Sequence, residues 1–428
     1  MSRFTTWRRL GILALLGLLL SWLFSCRPTP SPSATPEIEF WTMQLQPKFT
    51  DYFNKLIATF EAENKGTKIR WVDVPWAAME NKILTAVSAK TAPDVVNLNP
   101  GFATQLAARN AWLNLDTKVP EVVRKQYLPN IWKDNTLNNK SFGIPWYLSS
   151  SITIYNKDLL NKAGVSQPPK TYAELAQVAK QVKEKTGKYA FFITLVPGDS
   201  GEMLESLVQM GVELVDAQEK AAFNTPKGKA AFQYWVDFYK QGLMPKEALT
   251  QGHRRAIELY QAGETALLSS GAEFMDAIAK NAPTIAQVSA AAPQITGETG
   301  KKNVAVMNLV IPRDTGKPDA AVKFALFVTN TANQLAFAKA ANVLPSTIEG
   351  LQEYRRSLSS NGKASPAKQA IDISAAQMQD AQVLIPTMKD INKLQKAIYE
   401  NLQAAMLGEK TVDKAVADAA QEWNSSRS

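Results

Sequence analysis

Side chains able to do covalent or metal chemistry are scarce here: one cysteine, Cys26, and one histidine, His253, stand among 428 residues. Disulfides, thiolate nucleophiles, zinc sites and histidine-based triads all need partners of these types, so a metal, a cofactor or a nucleophilic centre is not expected. His253 sits beside Arg254 and Arg255 at the start of an expected helix and reads as a surface residue. A pair of carboxylates could still serve a glycosidase, which needs no more than two at the right separation. The remaining chemistry is noncovalent. It resides in polar and aromatic residues that directly follow apolar runs, above all Trp41-Thr42-Met43-Gln44 and Asn97-Leu98-Asn99-Pro100-Gly101-Phe102.

The elements that must position these loops follow from periodicity. A strand is expected over 37–42, then a helix with Phe49, Phe53, Leu56, Ile57 and Phe60 at helical spacing and Gly66 as its stop. A strand over 68–74, a helix carrying Met79, Ile83, Leu84 and Val87, and a strand over 94–98 complete an alternation that implies a parallel sheet with right-handed crossovers. Ligands bind such sheets beyond the carboxyl ends of the strands, where both loops lie. A second alternation begins after Pro145, with extended 151–155, a helix near 172–185 and a strand over 189–195. A helix beginning Thr225-Pro226 and stopping at Gly242 aligns Phe232, Trp235, Val236 and Tyr239 as a core stripe.

The first residues have another purpose. Arg3, Arg8 and Arg9 precede an apolar run from Leu10 to Phe24, about fifteen residues against the ~20 of a membrane span, so 1–25 reads as a cleaved export signal. Leu23-Phe24-Ser25-Cys26 resembles a bacterial lipobox, with Cys26 as the lipidated residue, and acyl chains add about 0.8 kcal/mol of membrane affinity per buried methylene. Residues 26–36, rich in proline, serine and threonine, form an extended tether spanning up to ~30 Å. The mature chain has no second long apolar run. Its basic residues are scattered, and with three of the formal +9 charges in the signal, nucleic acid is not an expected partner.

Several segments in order resemble one family: Ala92-Pro93-Asp94-Val95-Val96, Ile144-Pro145-Trp146-Tyr147, Ile154-Tyr155-Asn156-Lys157-Asp158-Leu159-Leu160, Pro168-Pro169-Lys170-Thr171-Tyr172, Tyr260-Gln261-Ala262-Gly263-Glu264-Thr265-Ala266 and Asn342-Val343-Leu344-Pro345. They are similar to the bacterial family 1 extracellular solute-binding proteins, the maltose-binding-protein-like group. The resemblance implies an α/β fold of two lobes with parallel-rich sheets and an interlobe cleft, lobe one being 37–148 with 290–344 and lobe two 149–289 with 345–428. It implies hinge closure on a sugar or sugar-derived solute and delivery to the permease of an ABC importer, by a monomer held through its lipid at the outer face of the cytoplasmic membrane. A non-sugar cargo, such as a polyamine or a glycerol phosphate ester with Arg313 as the anion contact, keeps the same fold.

A sugar asks for flat rings against its C–H faces and planar donors and acceptors for its hydroxyls. The resemblance places Trp41, Trp146 and Tyr147 at the cleft, with Gln44 and Asn99 as hydrogen-bonding loop residues; a helix opening at Gly101 adds free N–H groups. Asp199 and Glu202 follow a strand in lobe two as hydroxyl acceptors, or cap the helix starting near Met203. Where the family has a glycine-proline-tryptophan motif this chain has Ser269 to Phe274, putting Glu273 at the stacking position with Phe274 next, a change that suits a smaller or amine-bearing ligand. Asn308 likewise stands in a strand where the family carries tryptophan.

Overall fold

The computed structural model describes residues 37–197, 199–359, 365–379, 381–385, 388 and 390–426. The export signal, Cys26 and the tether lie outside the described residues.

The chain opens as the periodicity predicts: β1 (Glu37–Met43), α1 (Thr50–Glu63), β2 (Lys68–Val74), α2 (Trp76–Ser88), β3 (Val95–Leu98) and α3 (Pro100–Ala107). A small hairpin, β4 (Thr136–Leu137) and β5 (Lys140–Ser141), leads to β6 (Gly143–Ser150), which continues through Ser151 into β7 (Ile152–Asn156). Then come α4 (Tyr172–Thr186), α5 (Gly201–Gln209), α6 (Pro226–Lys240), α7 (His253–Gln261), β8 (Leu267–Ser270), α8 (Phe274–Asn281), β9 (Ser289–Ala292) and β10 (Lys302–Val310). The remainder is α9 (Pro318–Val328), α10 (Thr331–Ala341), β11 (Leu344–Pro345), α11 (Ile348–Ser359), α12 (Pro366–Ala376), β12 (Ala381–Gln382), α13 (Ile391–Met406) and α14 (Val412–Ser425).

Two sheets organise these elements. The larger runs β11-β6-β10-β3-β1-β2 with β12 beside β10; β2, β1 and β3 are mutually parallel, while β10 runs antiparallel to both β3 and β6. The smaller, β8-β7-β9, is wholly antiparallel. Parallel ladders thus belong to the larger sheet, and in the second lobe parallel pairing is limited to isolated bridges. The segment expected as a strand over 189–195 makes a single bridge, Tyr189 with Thr265, alongside the backbone bonds that Ala266 and Leu267 donate to Tyr189 and Ala190, and then leaves the ladder.

Alternation along the strands sends successive side chains to opposite faces. In β1, Phe40 enters a core with Phe53, Trp146 and Phe324, while Trp41 and Met43 enter another with Met79, Ile83 and Leu106. Helices therefore cover both faces of the large sheet, as a parallel sheet requires. In lobe two, Thr225 caps α6 through a bond from the Gly228 N–H, Pro226 takes the first turn, and Phe232, Trp235 and Val236 are buried as the stripe predicts.

The chain makes more than one passage between the two sheets. The first falls at Ser151, between β6 and β7. The second falls in 293–301, since β9 still pairs with β7, a few residues beyond the expected boundary at 290. Helix α11 packs on α10 and β11, α12 packs on β9, and β12 then pairs with β10 of the larger sheet.

Candidate functional site

The carboxyl ends of β1, β2 and β3 carry three adjoining turns. Gln44 leaves β1 in the left-handed region, φ 53°, its N–H donating to the Val74 carbonyl at 2.9 Å and its Oε1 accepting from the Trp76 N–H at 3.2 Å. Asp73 holds the same turn from below, accepting from the Thr42 hydroxyl at 2.6 Å and from the Leu45 and Gln46 N–H groups at 2.9 and 3.0 Å. Asn99 caps α3, its Oδ1 accepting from the Phe102 N–H at 2.9 Å. Gln44 is exposed and Asn99 half-buried, both in turns at the carboxyl ends of these strands.

The tryptophans expected beside them are elsewhere. Trp41 is 6 % exposed on the face of β1 that packs under α2; its indole N–H donates to Glu39 at 2.6 Å and the Lys82 ammonium sits 4.2 Å from its ring. Trp146 has no exposed surface. Phe337 of α10 already stacks on it, 4.9 Å between centroids, and its indole N–H is buried without a partner. The physical reason is register: both lie on strand positions whose side chain enters a core, which the local sequence does not show. Asn308 is also enclosed, beside an irregularity in the β10–β6 pairing, with its amide N–H₂ bonded to the Val306 carbonyl and its Oδ1 unpartnered.

Tyr147, next along β6, is half-buried and faces the seam between lobes. Burial raises its phenol, and the Glu273 carboxylate adds to the shift. Across that seam Glu273, just before α8, accepts from the Ser149 hydroxyl at 3.1 Å. Burial raises the Glu273 carboxyl, opposed by its own backbone N–H, Ser149 and the Lys48 charge arriving from the loop after β1. Gly271 leaves the room this carboxylate occupies, since a Cβ there would lie 2.2 Å from it. Glu273, Tyr147, Ser149 and Lys48 thus converge from both lobes.

The rest of the lobe-two wall comes from the starts of α5 and α7. Asp199 accepts from the His253 N–H at 2.6 Å, so it caps α7 in trans and not the helix that follows it in sequence. A Cβ on Gly252 would lie 2.4 Å from its carboxylate, which makes glycine the residue that admits the contact. His253, expected at the surface, is half-buried: its Nε2 lies 3.1 Å from the Ser270 hydroxyl and its ring meets Phe274 edge-on at 6.0 Å. Burial lowers its pKa, with Asp199 opposing, which leaves a neutral ring at pH 7.

Glu202 and Glu205 of α5 line a small recess of mixed polarity with Thr153, Tyr172, Phe191, Gln209 and Ile295. Burial pushes Glu202 up to about 8, with a Ser269 hydrogen bond opposing and the Glu205 and Asp199 charges reinforcing; burial alone pushes Glu205 up to about 7. Glu205 and His253 escaped the sequence reading because only tertiary enclosure changes their character. Trp76, 47 % exposed at the carboxyl end of β2, escaped because exposure of a helix's first residue is a tertiary property.

Among the described residues no group of three or more potential metal ligands occurs. The wall can donate and accept hydrogen bonds at many angles.

The model of the bacterial extracellular solute-binding proteins matches residues 46–335. The solved periplasmic-binding protein of Synechococcus sp. MITs9220, crystallised with zinc, is 44 % identical, with a TM-score of 0.86 over 91 % of this chain and 98 % of that one. The diacetylchitobiose binding protein DasA of Streptomyces coelicolor is 26 % identical over 85 % of this chain and 84 % of its own. A binding protein of Brucella abortus is 24 % identical over 62 % of this chain; the match spans 65 % of that relative's length. With the two sheets, the chain crossings and the family match in agreement, this chain belongs to the bacterial extracellular solute-binding protein family.

Proposed function

We propose that this chain captures a neutral sugar or sugar-derived solute between its lobes outside the cytoplasm and hands it unchanged to the permease of an ABC importer. The observation that carries the reading is the seam itself: Lys48 and Tyr147 from one lobe converge with Glu273 and Phe274 from the other around the Ser149 crossing. Gln44, Asn99, Asp199 and Glu202 extend that polar wall, while Trp41, Trp146 and Asn308 support it from within. DasA, which binds diacetylchitobiose, and an arabinooligosaccharide-binding protein of Halalkalibacterium halodurans, 26 % identical over 58 % of this chain, favour a carbohydrate. The protein acts as a monomer, without catalysis or cofactor, and is tethered by a lipid on Cys26.

A second reading rests on one fact: the wall holds Asp199, Glu202, Glu205 and Glu273, and none of them forms an ion pair among the described residues. That suits a cationic solute such as a polyamine. A thermal-shift screen against neutral sugars, sugar polyols, polyamines and phosphate esters separates the two. Ligand at 100 times its Kd adds about 2.7 kcal/mol to stability, a plain rise in midpoint. The carbohydrate reading expects the rise with a neutral sugar, recovered chemically unchanged; a rise with polyamines alone refutes it, and product formation would make the protein an enzyme.

A further inference from the structure

Among the described residues three large apolar side chains stand exposed, Trp76, Val122 and Leu407, and Trp76 is the aromatic one. A single exposed apolar side chain is ordinary, so the meaning of Trp76 depends on where it stands.

Its position points to that use. Trp76 is the first residue of α2 and follows β2 directly, separated from the strand by Pro75 alone. It therefore stands at the carboxyl edge shared by β2, β1 and β3, where an open parallel sheet receives its ligand. Side chains on a helix lean toward its N-terminus, and a residue in the first position has no preceding turn of its own helix to lean upon.

The backbone beneath it is fixed from two sides. Pro75 holds φ at −54°, and the Trp76 N–H, a free donor by its place in the helix, is taken by Oε1 of Gln44 at 3.2 Å. Gln44 in turn holds the left-handed conformation and bonds the Val74 carbonyl. Positive φ on a residue other than glycine costs stability and is concentrated at binding sites. Two turns are thus tied together by Gln44, and the group they present is an indole.

The other rings in the neighbourhood are less exposed. Trp41 and Trp146 are in the cores, Phe337 covers Trp146, and Phe274 meets His253. Tyr147 and Phe274 are half-buried at the seam, and among the described aromatic residues Trp76 is the large one whose surface stands exposed to a ligand seated at this edge.

We propose that Trp76 is the stacking platform of the cleft, with Gln44 as its positioning residue, and that it receives the C–H face of a neutral sugar ring. The inference rests on the carbohydrate reading above and adds the residue that reads the ring.

The test uses the purified full chain and a panel of maltose, sucrose, trehalose, diacetylchitobiose and mannitol, with calorimetric affinities for the tightest binder. Trp76→Ala weakens binding roughly tenfold, the order that one aromatic face contributes, while Trp76→Phe stays within about threefold of the parent. Both variants keep the ligand-free unfolding midpoint, since an exposed side chain contributes little to it. Bound sugar also slows oxidation of one fast-reacting tryptophan by N-bromosuccinimide, and Trp76→Phe lacks that fast phase. Equal affinity of wild type and Trp76→Ala overturns the platform and leaves the carbohydrate reading standing. Failure of the wild type to bind any of the panel overturns both.

Discussion

Glu205 shows how far a residue's role depends on what encloses it. In the sequence it is one of 39 acidic residues; in the fold, burial carries its carboxyl up to about 7 and that of Glu202 to about 8. Both folded values lie above the unfolded one, so the folded state holds more protons between about pH 4.5 and 8. The stability these groups contribute is fully present below the unfolded pKa and is lost as pH rises through the folded values. The ligand-free unfolding midpoint should fall between pH 5 and 8.5, and Glu205→Gln should flatten that fall, as scanning calorimetry across the range will show. The same variant separates cargo classes: glutamine mimics the protonated acid, so neutral-sugar affinity should change less than threefold, whereas a cationic ligand would lose most of its binding.

At the scale of elements, the wall is assembled by one helix start capping another's loop. Asp199 to α7 is such a contact, and it fixes the direction of His253 and through it of Phe274. Asp199→Ala should cost about 1 kcal/mol, the usual loss of a cap, read as a lower urea midpoint, while Asp199→Asn retains most of it. If Asp199 also touches ligand, Asp199→Asn will weaken binding with stability preserved, a split that calorimetry resolves. Elements themselves were largely legible. Alternation in Phe40-Trp41 and the 3.6-residue spacing of Phe53, Leu56 and Phe60 are local signals, and β1, α1, β2, α2 and β3 stand where they predict. What local signals lack is the identity of the facing layer. Trp146 looks like a cleft aromatic in Ile-Pro-Trp-Tyr, yet the neighbour that decides its role is Phe337, nearly two hundred residues away. The antiparallel small sheet and the place of β10 between β6 and β3 were hidden for the same reason.

At the scale of the whole molecule, the β6–β7 run, the 293–301 segment and the stretch after α11 carry the chain between its two sheets and their helices, and Glu273 and Ser149 make a contact between them. Hinged closure should appear as a fall in radius of gyration in X-ray scattering when ligand is added, and Ser149→Ala, which removes the hydroxyl contact to Glu273, should alter affinity without altering the fold. Outside the described residues, Cys26→Ser should move the protein from the membrane fraction to the soluble fraction of its host and abolish labelling by radioactive palmitate.

The crossings carry a consequence for how the chain comes to be folded at all. The large sheet has β1 at one edge of the sequence and needs β10 and β11, made some three hundred residues later, to fill its middle and far side. The second lobe is no more self-sufficient, because α13 and α14 pack on α6. Neither half can close its core while the other is still being synthesised, and such long-range pairing is slow to form. The interleaving of the two sheets thus defers closure of both cores until the last elements of the chain are made.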